Sequence, residues 1–374
     1  MLVWGAEQEI ITPTGKKLQI KPLSDRGSAP DLINQYYVPE HKLDIIIAFM
    51  DAFGIEYLNG VNIPVIGWIP IDGPFTEKWK HYVRGFHKVM TYSHFGYREL
   101  QKWFPPSKIG YIPHGVPDEF KPLDKDEIRE EFERLYGIPK DAFLIVNVGA
   151  NVGPRKELPL MMKTFKRFVE HGHGNAYLFM HTNAFQLYPR GYDLVKWQEM
   201  LGMQKHILFP TYNPIISPVS NDLLARVHSA GDVYWQNSVA EGFGLPEYEA
   251  MACGTPVICP NNSAQVEIVE GNGPKRGWLV ESVPEDVYEQ IPVYVPQLTN
   301  YPVPDQRSAL EKLREAYNNP DLRERYGKSA NEYVEKYHRF DVTMKDWFRT
   351  LDEIEQELGM FKNLGRAFKG APLG

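Results

Sequence analysis

The sequence predicts an α/β protein with two domains, each built on a parallel, doubly wound sheet. Its 374 residues correspond to about two domains, and a hydrophobic content of 43% is enough to form two cores. Short apolar segments typical of buried strands alternate with segments of helical periodicity, without hairpin turn signals between them. Strands joined in this way are parallel, because each connection crosses the sheet through a helix.

The predicted elements of the first domain follow this alternation after a turn-rich start. Residues 2–5 read as a strand, and the sequence is then polar and rich in turn residues to about residue 40. The segment 43–50 is almost continuously apolar, which predicts a buried parallel strand. Further strands are predicted at 64–70, 88–92 and 109–112, and helices at 76–84 and 97–104.

The second domain repeats the pattern from residue 142 onward. Asp193 precedes one of its helices and is a typical N-cap residue. A Pro-rich loop covers 283–304, and the apolar positions of 341–358 fall near helical spacing. The predicted strands are 142–148, 176–180, 206–209, 232–235, 255–259 and 277–280, and the predicted helices are 158–171, 194–201, 221–230, 247–252, 308–317 and 322–336.

The most informative segment reads NSVAEGFGLPEYEAMACGTPVICP and covers residues 237–260. Glu241 and Glu249 lie eight positions apart, around a Gly-Phe-Gly turn and the start of a helix. Gly242 and Gly244 allow the backbone to approach a ligand closely or to adopt positive φ. A strand, a glycine turn, a helix and a second strand in this order leave free amides at the helix start. An anionic or polyhydroxylated ligand binds at such a place in α/β proteins.

This segment resembles the donor-site signature of retaining glycosyltransferases of family 4, which have the two-domain GT-B fold. The phrase EGFGLPEYEAMACGTPVI matches the signature nearly throughout, including the two glutamates that bracket the nucleotide sugar. The resemblance implies two Rossmann-like domains that face each other across a cleft. It also implies transfer of a sugar from a nucleotide-diphosphate sugar to a hydroxyl of a glycan, a lipid or a small molecule. Glu247, in the same helical turn, is expected only to complement the helix dipole.

The segment 113–122, PHGVPDEFKP, resembles the interdomain linker of the same family. His114 and Pro117 stand where the family usually has an asparagine and an aspartate. The resemblance therefore implies an N-terminal acceptor-binding domain over 1–116 and a C-terminal donor-binding domain over 117–340. The last segment, about 341–374, is expected to cross back onto the N-terminal domain.

The loop after the strand at 142–148 is the predicted site of the donor diphosphate. It reads Gly149-Ala-Asn-Val-Gly153-Pro-Arg155-Lys156, and its family counterpart is a glycine-bearing loop that ends in a basic pair. Negative charge grows on the β-phosphate as the glycosidic bond breaks, so fixed cations there stabilise the transition state. Arg155 can hold phosphate oxygens in bidentate fashion, while Lys156 supplies a point charge. A solvated basic loop is the alternative.

The resemblance also assigns roles to the signature residues. Glu249 is expected to accept hydrogen bonds from the ribose hydroxyls, and Glu241 to contact hydroxyls of the transferred sugar. The amides around Gly242, Phe243, Gly244 and Leu245 are expected to approach sugar and phosphate, and Thr211 and Tyr212 the nucleobase. Double displacement would need a carboxylate against the anomeric carbon. We expect instead a same-face attack in which the leaving phosphate acts as the base.

The acceptor side carries weaker signals. The family often has a histidine after the strand that corresponds to 64–69, and here Asp72 is the candidate replacement. A simple Asp-Gly turn is its alternative. Asp51, Ser93, His94 and His114 are further candidates because they follow predicted strands, with ordinary structural roles as the alternative.

One departure from the family concerns the start of the chain. Family members usually open with a strand, a Gly-Gly loop and a long helix, whereas this chain opens at what would be the second strand. We therefore expect that the start is trimmed, that the N-terminal domain is reduced, or that another chain supplies the missing parts. This departure supports a second hypothesis, a non-catalytic or partner-dependent GT-B module that binds nucleotide or glycan.

Composition and missing motifs exclude other classes. The net charge of −7 argues against nucleic acid or an anionic membrane as the main partner. A Gly-x-Gly-x-x-Gly turn after a strand, a P-loop and an HExxH motif are all lacking, which argues against a dehydrogenase, a kinase-like NTPase and a zinc site. No metal or cofactor is expected besides the nucleotide sugar as co-substrate.

The sequence also predicts a cytoplasmic location. Cys253 and Cys259 lie in apolar contexts typical of buried thiols, and no signal peptide is recognisable at the N-terminus. The longest apolar run, 45–50, is too short to span a bilayer. At most peripheral membrane contact is expected, through the basic aromatic tail at 361–369, for which a frayed terminus is the alternative. The oligomeric state stays open, with a homo-oligomer as one option.

Overall fold

The computed structural model describes residues 2–3, 8–11, 17–22, 29–41, 43–185, 191–214, 219–283 and 302–358. Three sheets occur in these ranges: a three-stranded sheet near the start, a four-stranded parallel sheet and a six-stranded parallel sheet. The predicted tail at 361–369 and most of the predicted loop at 283–304 lie outside the described residues.

The six-stranded sheet forms the centre of the C-terminal domain. In chain order its strands are β8 (Phe143–Val148), β9 (Ala176–His181), β10 (Ile207–Leu208), β11 (Val233–Trp235), β12 (Val257–Pro260) and β13 (Gly277–Val280). Their order in the sheet is β10-β9-β8-β11-β12-β13, and every pairing is parallel. The order reverses between β8 and β11. Such a switch point leaves a crevice beyond the carboxyl ends of the two strands, where ligands bind in open α/β sheets.

Helices cover both faces of this sheet. One face packs on a core that includes Ile128, Tyr248 and Ala330, and the other on a core that includes Phe165 and Leu313. The helices are α5 (Lys125–Tyr136), α6 (Leu158–Glu170), α7 (Leu194–Leu201), α8 (Asn221–Ala230), α9 (Leu245–Ala252), α10 (Gln265–Glu270), α11 (Gln306–Asn318) and α12 (Pro320–Tyr337).

The N-terminal domain contains the four-stranded sheet. Its strands β4 (Ile46–Phe49), β5 (Val65–Trp68), β6 (Lys88–Thr91) and β7 (Ile109–Tyr111) lie side by side in chain order, all parallel. Helices α3 (Glu77–Tyr82) and α4 (His94–Gln101) connect the last three strands. The last helix, α13 (Phe340–Leu358), lies against the other face of the sheet.

The contacts of α13 tie the end of the chain to the N-terminal sheet. Trp347 and Ile354 are buried with Ile66 and Met90 in one apolar cluster. At the far end of the helix, Glu357 accepts a hydrogen bond from Lys88 Nζ at 2.9 Å. The helix therefore lies where the sequence predicted a crossover, and residues 359–374 of that predicted segment lie outside the described residues.

Two predictions for the N-terminal region were wrong. The first two strands, β1 (Leu2–Val3) and β2 (Gln8–Ile11), pair with β3 (Lys17–Pro22) in a sheet of their own, β1 parallel and β2 antiparallel. The first strand is thus not part of the four-stranded sheet, and 8–22 contains strands that the turn-rich composition concealed. Short helices α1 (Ala29–Leu32) and α2 (Val38–His41) follow, joined by a π-helical turn.

The strand at 43–50 was also predicted to be fully buried. It forms the edge of its sheet among the described strands, so Ile47 is 45% exposed and Phe49 is 60% exposed.

In the C-terminal domain two helices, α5 and α10, were not predicted. Helix α5 has clear end signals, since Asp124 accepts hydrogen bonds from two amides of its first turn and Gly137 ends it at φ 69°. Its highly charged sequence hid the apolar stripe.

Candidate functional site

The loops that follow β8 and β11 meet at the switch point of the six-stranded sheet. The amide of Val239 donates to the carbonyl of Arg155 at 2.9 Å, and Asn237 Nδ2 donates to the carbonyl of Glu157 at 3.2 Å. The basic pair lies in a 3₁₀ turn over Pro154–Lys156. Gly153, at φ 96° and ψ −149°, leads into that turn in a conformation that only glycine adopts readily.

A second anchor holds the start of the basic loop. The side-chain amide of Asn151 donates to the carbonyls of Asn183, at 3.1 Å, and Tyr192, at 2.6 Å, while its oxygen accepts the Tyr192 amide at 2.9 Å. Asn151 is 2% exposed. The loop is therefore held at both ends before any ligand arrives, which is the preorganisation that electrostatic catalysis needs.

Glu241 closes an ion-pair cluster with the two cations of this loop. Its Oε1 lies 2.6 Å from Lys156 Nζ, and its Oε2 lies 3.1 Å from Arg155 Nη1. Burial alone would raise the pKa of Glu241, but the two adjacent cations lower it below its usual range. The amide of Glu241 donates to Ser263 Oγ at 3.0 Å, which holds the residue from behind. The cluster is thus a fixed carboxylate between a half-buried Arg155 and a Lys156 that is 7% exposed.

The glycine turn of the signature lies directly against the N-terminal domain. A Cβ on Gly242 would lie 3.2 Å from both Pro70 Cβ and Tyr92 Cε2. Gly244 has φ 91° and precedes α9, whose first residue, Leu245, is 37% exposed. Between the glycines, Phe243 is buried. The close approach of the two domains therefore depends on the missing side chain at Gly242.

Phe243 belongs to an aromatic cluster that crosses between the domains. Its ring stacks on Tyr248 with centroids 4.3 Å apart and lies 5.1 Å from His114. His114 in turn packs between Trp68 and Tyr92, at 4.4 and 4.3 Å. Burial lowers the pKa of His114 to about 4, so it is neutral at physiological pH.

Two predicted carboxylates face Arg155 from the opposite side of the cleft. Asp51 follows β4 and Asp72 follows β5, and both are half-buried. The pKa of Asp51 is raised by burial and by the charge of Asp72, against the opposing effect of Arg155. Tyr92 follows β6. Burial raises its pKa, and the negative charges of Asp51, Asp72 and Glu241 raise it further. The structure thus brings Asp51 and Asp72 to the same place as Arg155 and Glu241.

Glu249 lies further along α9 in a buried setting. Its Oε2 is 3.4 Å from Nε2 of His228, a histidine with no exposed surface. Tyr212, after β10, places its hydroxyl 2.7 Å from His181 Nε2, and burial lowers the pKa of His181 to about 4. Thr211 beside it is exposed. The predicted nucleobase residues Thr211 and Tyr212 therefore follow a strand of the same sheet, Glu249 lies in the second half of α9, and the roles of all three stay predictions.

Ser93, His94 and His114 also have contacts that a structural role explains. Ser93 is the N-cap of α4, with its Oγ accepting the Gly96 amide at 3.1 Å. The ring of His94 stacks on Tyr111 at 4.2 Å. His114 packs in the aromatic cluster between the domains. Their roles on the acceptor side stay predictions.

Sequence reasoning missed three residues that bear on the site. Tyr92 follows a strand as Asp51 and Asp72 do, and that shared position was a usable signal. Ser263, at φ 45°, and Glu267 act through contacts distant in sequence, so no local signal marks them. Glu267 accepts hydrogen bonds from the amides of His94, at 3.0 Å, and Phe95, at 3.3 Å, and so links α10 to the start of α4 in the other domain.

Within the described part of the chain, no group of three or more His, Cys, Asp or Glu side chains is arranged to hold a metal ion. In the same residues, no helix is long and apolar enough to cross a membrane.

Comparison with known proteins defines the class. Residues 128–292 match the family model described as Glycosyl transferases group 1, and this range contains the basic loop and the whole glutamate signature. Over these residues, which make up less than half of the chain, the protein is similar to the glycosyl transferases group 1 family.

Named relatives agree with this assignment. A D-inositol 3-phosphate glycosyltransferase of Actinosynnema mirum is 28% identical over 157 residues, which is 41% of this chain and 35% of that protein. An uncharacterized glycosyltransferase of Methanocaldococcus jannaschii is 26% identical over 215 residues, 50% of this chain and 51% of that one. The matched stretches thus span between about a third and a half of these relatives.

Solved structures extend the likeness to both domains. The sucrose-phosphate synthase of Thermosynechococcus elongatus superposes with a TM-score of 0.68 at 16% identity, over 92% of this chain and 86% of that chain. A protein of Anabaena in complex with UDP and glucose gives 0.67 at 13% identity, over 89% and 86%. These likenesses show the fold. It is the GT-B fold of two facing Rossmann-like domains, as the sequence predicted.

Proposed function

We propose that this chain is a retaining glycosyltransferase that moves a sugar from a nucleotide-diphosphate sugar to a hydroxyl acceptor. The observation that carries the proposal is the cluster of Arg155, Lys156 and Glu241 at the switch point, facing Asp51 and Asp72 across the cleft. Cations on one side and hydroxyl-binding carboxylates on the other fit a diphosphate joined to a sugar.

Each predicted donor-site residue of the C-terminal domain has its own role in this proposal. Arg155 and Lys156 bind the diphosphate and stabilise the charge that develops on it as the anomeric bond breaks. Because side chains supply this charge, the reaction needs no metal ion or further cofactor. Glu249 binds the ribose, Thr211 and Tyr212 lie at the nucleobase, and the amides between Gly242 and Leu245 approach sugar and phosphate.

The contacts of Glu241 support same-face attack over double displacement. A nucleophilic carboxylate needs a free oxygen against the anomeric carbon. Both oxygens of Glu241 are engaged, one by Lys156 and the other by Arg155. We therefore assign Glu241 to the hydroxyls of the transferred sugar, and the proton of the acceptor hydroxyl to the leaving phosphate.

On the acceptor side, Asp72 and Asp51 are the residues that we propose to bind the incoming hydroxyl. Their negative charges lie near Arg155, so a sugar held between the two groups would be oriented from both domains. The acceptor class stays a glycan, a lipid or a small molecule. We further propose a cytoplasmic protein with at most peripheral membrane contact.

Thermal unfolding with UDP, GDP, ADP and their common sugar conjugates tests the donor site. UDP is the first choice, since similar structures from Anabaena and from a pneumococcal O-GlcNAc transferase contain it. A ligand at 100 times its dissociation constant adds about 2.7 kcal/mol to the free energy of unfolding. We expect one base to stabilise the protein, and the effect to be lost in Arg155→Ala and Glu249→Ala.

The control for this experiment is Arg349→Ala, which removes an exposed arginine of α13 far from the basic loop. It should keep the full stabilisation. If none of the nucleotides stabilises the wild-type protein, the donor site is refuted. Stabilisation without turnover of the bound sugar nucleotide would instead support the second hypothesis, a binding module that is non-catalytic or needs a partner.

A further inference from the structure

Glu247 is a fully buried carboxyl group that the proposed reaction does not use. It is the third residue of α9 and has no exposed surface. Neither of its carboxyl oxygens makes a hydrogen bond of normal geometry within the described residues, although the Gln236 side chain and the Glu247 amide lie close enough to lower its pKa somewhat. An ionised carboxylate in such a place is disfavoured, because burial removes its hydration and these weak contacts replace only part of it. A helix-dipole role, as expected from the sequence, does not require this burial.

The surroundings of Glu247 are polar but carry few charges. Buried side-chain atoms without partners also occur on Gln236, Ser238, Asn262 and Gln265, near the carboxyl ends of β11 and β12. On the other side, Gly244 leaves room for Glu247, since a Cβ there would lie 3.1 Å from the carboxyl carbon.

The charges that act on Glu247 are those of the ion-pair cluster. Burial is the largest cause that raises the pKa of Glu247, to about 8, and the negative charge of Glu241 adds to it, while Lys156 opposes both. Tyr234 on β11 and Cys259 on β12 also lie within reach, but burial raises the pKa of both, so they are neutral. Lys156 is therefore the cation that both carboxyl groups share.

Resting on the proposed function, we propose that Glu247 is a positioning residue whose neutral form preserves the positive charge with which the basic pair binds the donor diphosphate. With Glu247 neutral, Arg155 and Lys156 outweigh Glu241 by one positive charge. When Glu247 ionises, the cluster has as many negative as positive charges, and Lys156 is held between two carboxylates. Asp51 and Asp72 lie near Arg155 in both states, so ionisation of Glu247 adds one negative charge to the site and weakens its attraction for an anion.

Linkage requires the converse effect. If the neutral form of Glu247 favours a bound diphosphate, then a bound diphosphate favours the neutral form. Binding near the pKa of Glu247 is therefore accompanied by proton uptake. Above that pKa the apparent affinity falls by up to about tenfold for each pH unit, because the competent fraction of the protein falls in proportion.

Isothermal titration calorimetry tests the predicted dependence of nucleotide affinity on pH. UDP, GDP and ADP are titrated from about pH 6.5 to about pH 9.5 in buffers of different ionisation enthalpy, so that proton uptake on binding can be measured. The wild-type protein should lose affinity above about pH 8 and take up a proton on binding there. In Glu247→Gln, a neutral side chain of the same shape, both effects should vanish while affinity at pH 7 persists. The control Glu353→Gln, on the exposed face of α13, should behave as the wild type.

The comparison of the wild type with Glu247→Gln also distinguishes Glu247 from other groups that titrate nearby. Burial raises the pKa of Glu157 and of Glu267 to about 7, so any effect of these residues appears at lower pH and persists in Glu247→Gln. If Glu247→Gln keeps the alkaline loss of affinity, or if the wild type shows no such loss, the role of Glu247 is refuted. If the wild type binds none of the three nucleotides at any pH, the proposed function fails instead. If Glu247→Gln does not fold, the absence of alkaline proton uptake in the wild type still refutes the role of Glu247.

Discussion

Substitution of Gly242 by alanine should separate donor binding from turnover. The new Cβ would lie 3.2 Å from Pro70 Cβ and from Tyr92 Cε2, which is shorter than an ordinary van der Waals contact of 3.4–4 Å. Both neighbours belong to the N-terminal domain, whereas Gly242 belongs to the C-terminal domain. The overlap therefore destabilises the closed arrangement of the domains and leaves the interior of each domain unchanged.

The magnitude follows from the cost of overpacking, which is typically about 1–3 kcal/mol. A cost of that size that applies only to the closed state of the two domains reduces the population of that state by about 5- to 150-fold. We expect turnover to fall by this factor, because Asp51 and Asp72, the proposed acceptor residues, lie in the N-terminal domain and reach Arg155 only when the domains meet. Affinity for the nucleotide should stay unchanged, since Arg155, Lys156 and Glu249 all lie in the C-terminal domain.

Steady-state kinetics and calorimetric binding of the nucleotide diphosphate measure the two effects separately. Gly174→Ala is the matched control, because a Cβ there meets no atom within 4 Å. Equal losses of affinity and of turnover in Gly242→Ala would show that the glycine serves the donor directly. Unchanged turnover would show that the close contact between the domains has no part in the reaction.

Three further substitutions test the site and the link between the domains. Glu241→Gln leaves Lys156 buried without its partner, so urea unfolding should show a loss of about 3–5 kcal/mol. Because the pKa of Glu241 is lowered, the wild type loses this stabilisation only as pH falls from about 4.5 to about 2, and the variant should lack that acid dependence. Glu267→Ala deprives two amides of α4 of their acceptor, which should cost about 1–3 kcal/mol. Because the pKa of Glu267 is raised to about 7, wild-type stability falls as pH rises from 4.5 to that value, and this slope should disappear in the variant. Asp72→Asn should lower turnover at least about tenfold with unchanged nucleotide affinity, and equal activity would exclude a role in acceptor binding.

Local patterns in the sequence determined most of the C-terminal domain. The helices 194–201 and 221–230 have the bounds that the sequence predicted, because Asp193 caps one and both have clear apolar periodicity. The positions of Arg155 and Glu241 in one site also followed from sequence. Both lie in loops after parallel strands, and carboxyl ends of such strands meet at one edge of the sheet.

The N-terminal region was less predictable for a physical reason. Of the strands within 8–22, only Lys17–Pro22 alternates between polar and apolar side chains, whereas Gln8–Ile11 has two polar residues followed by two apolar ones, so the periodic signal is weak. The exposure of Phe49 depends on where its strand lies in the sheet, which composition does not encode. Asp51 and Asp72 could be proposed only as residues that follow strands.

Tertiary structure alone decided which of these residues meet and in which state of charge. Ser93 caps a helix, His114 packs among aromatic rings, and Glu247 is buried beside an ion pair. The cap at Ser93 is a local contact, whereas the surroundings of His114 and Glu247 depend on contacts between segments far apart in the chain. The sequence by itself determined the class of fold, the basic loop and the glutamate signature, because glycine conformations, capping and strand periodicity are local properties. Burial and charge pairing are not local, and so they arose only from tertiary packing, within the C-terminal domain for Glu241 and Glu247 and between the domains for His114.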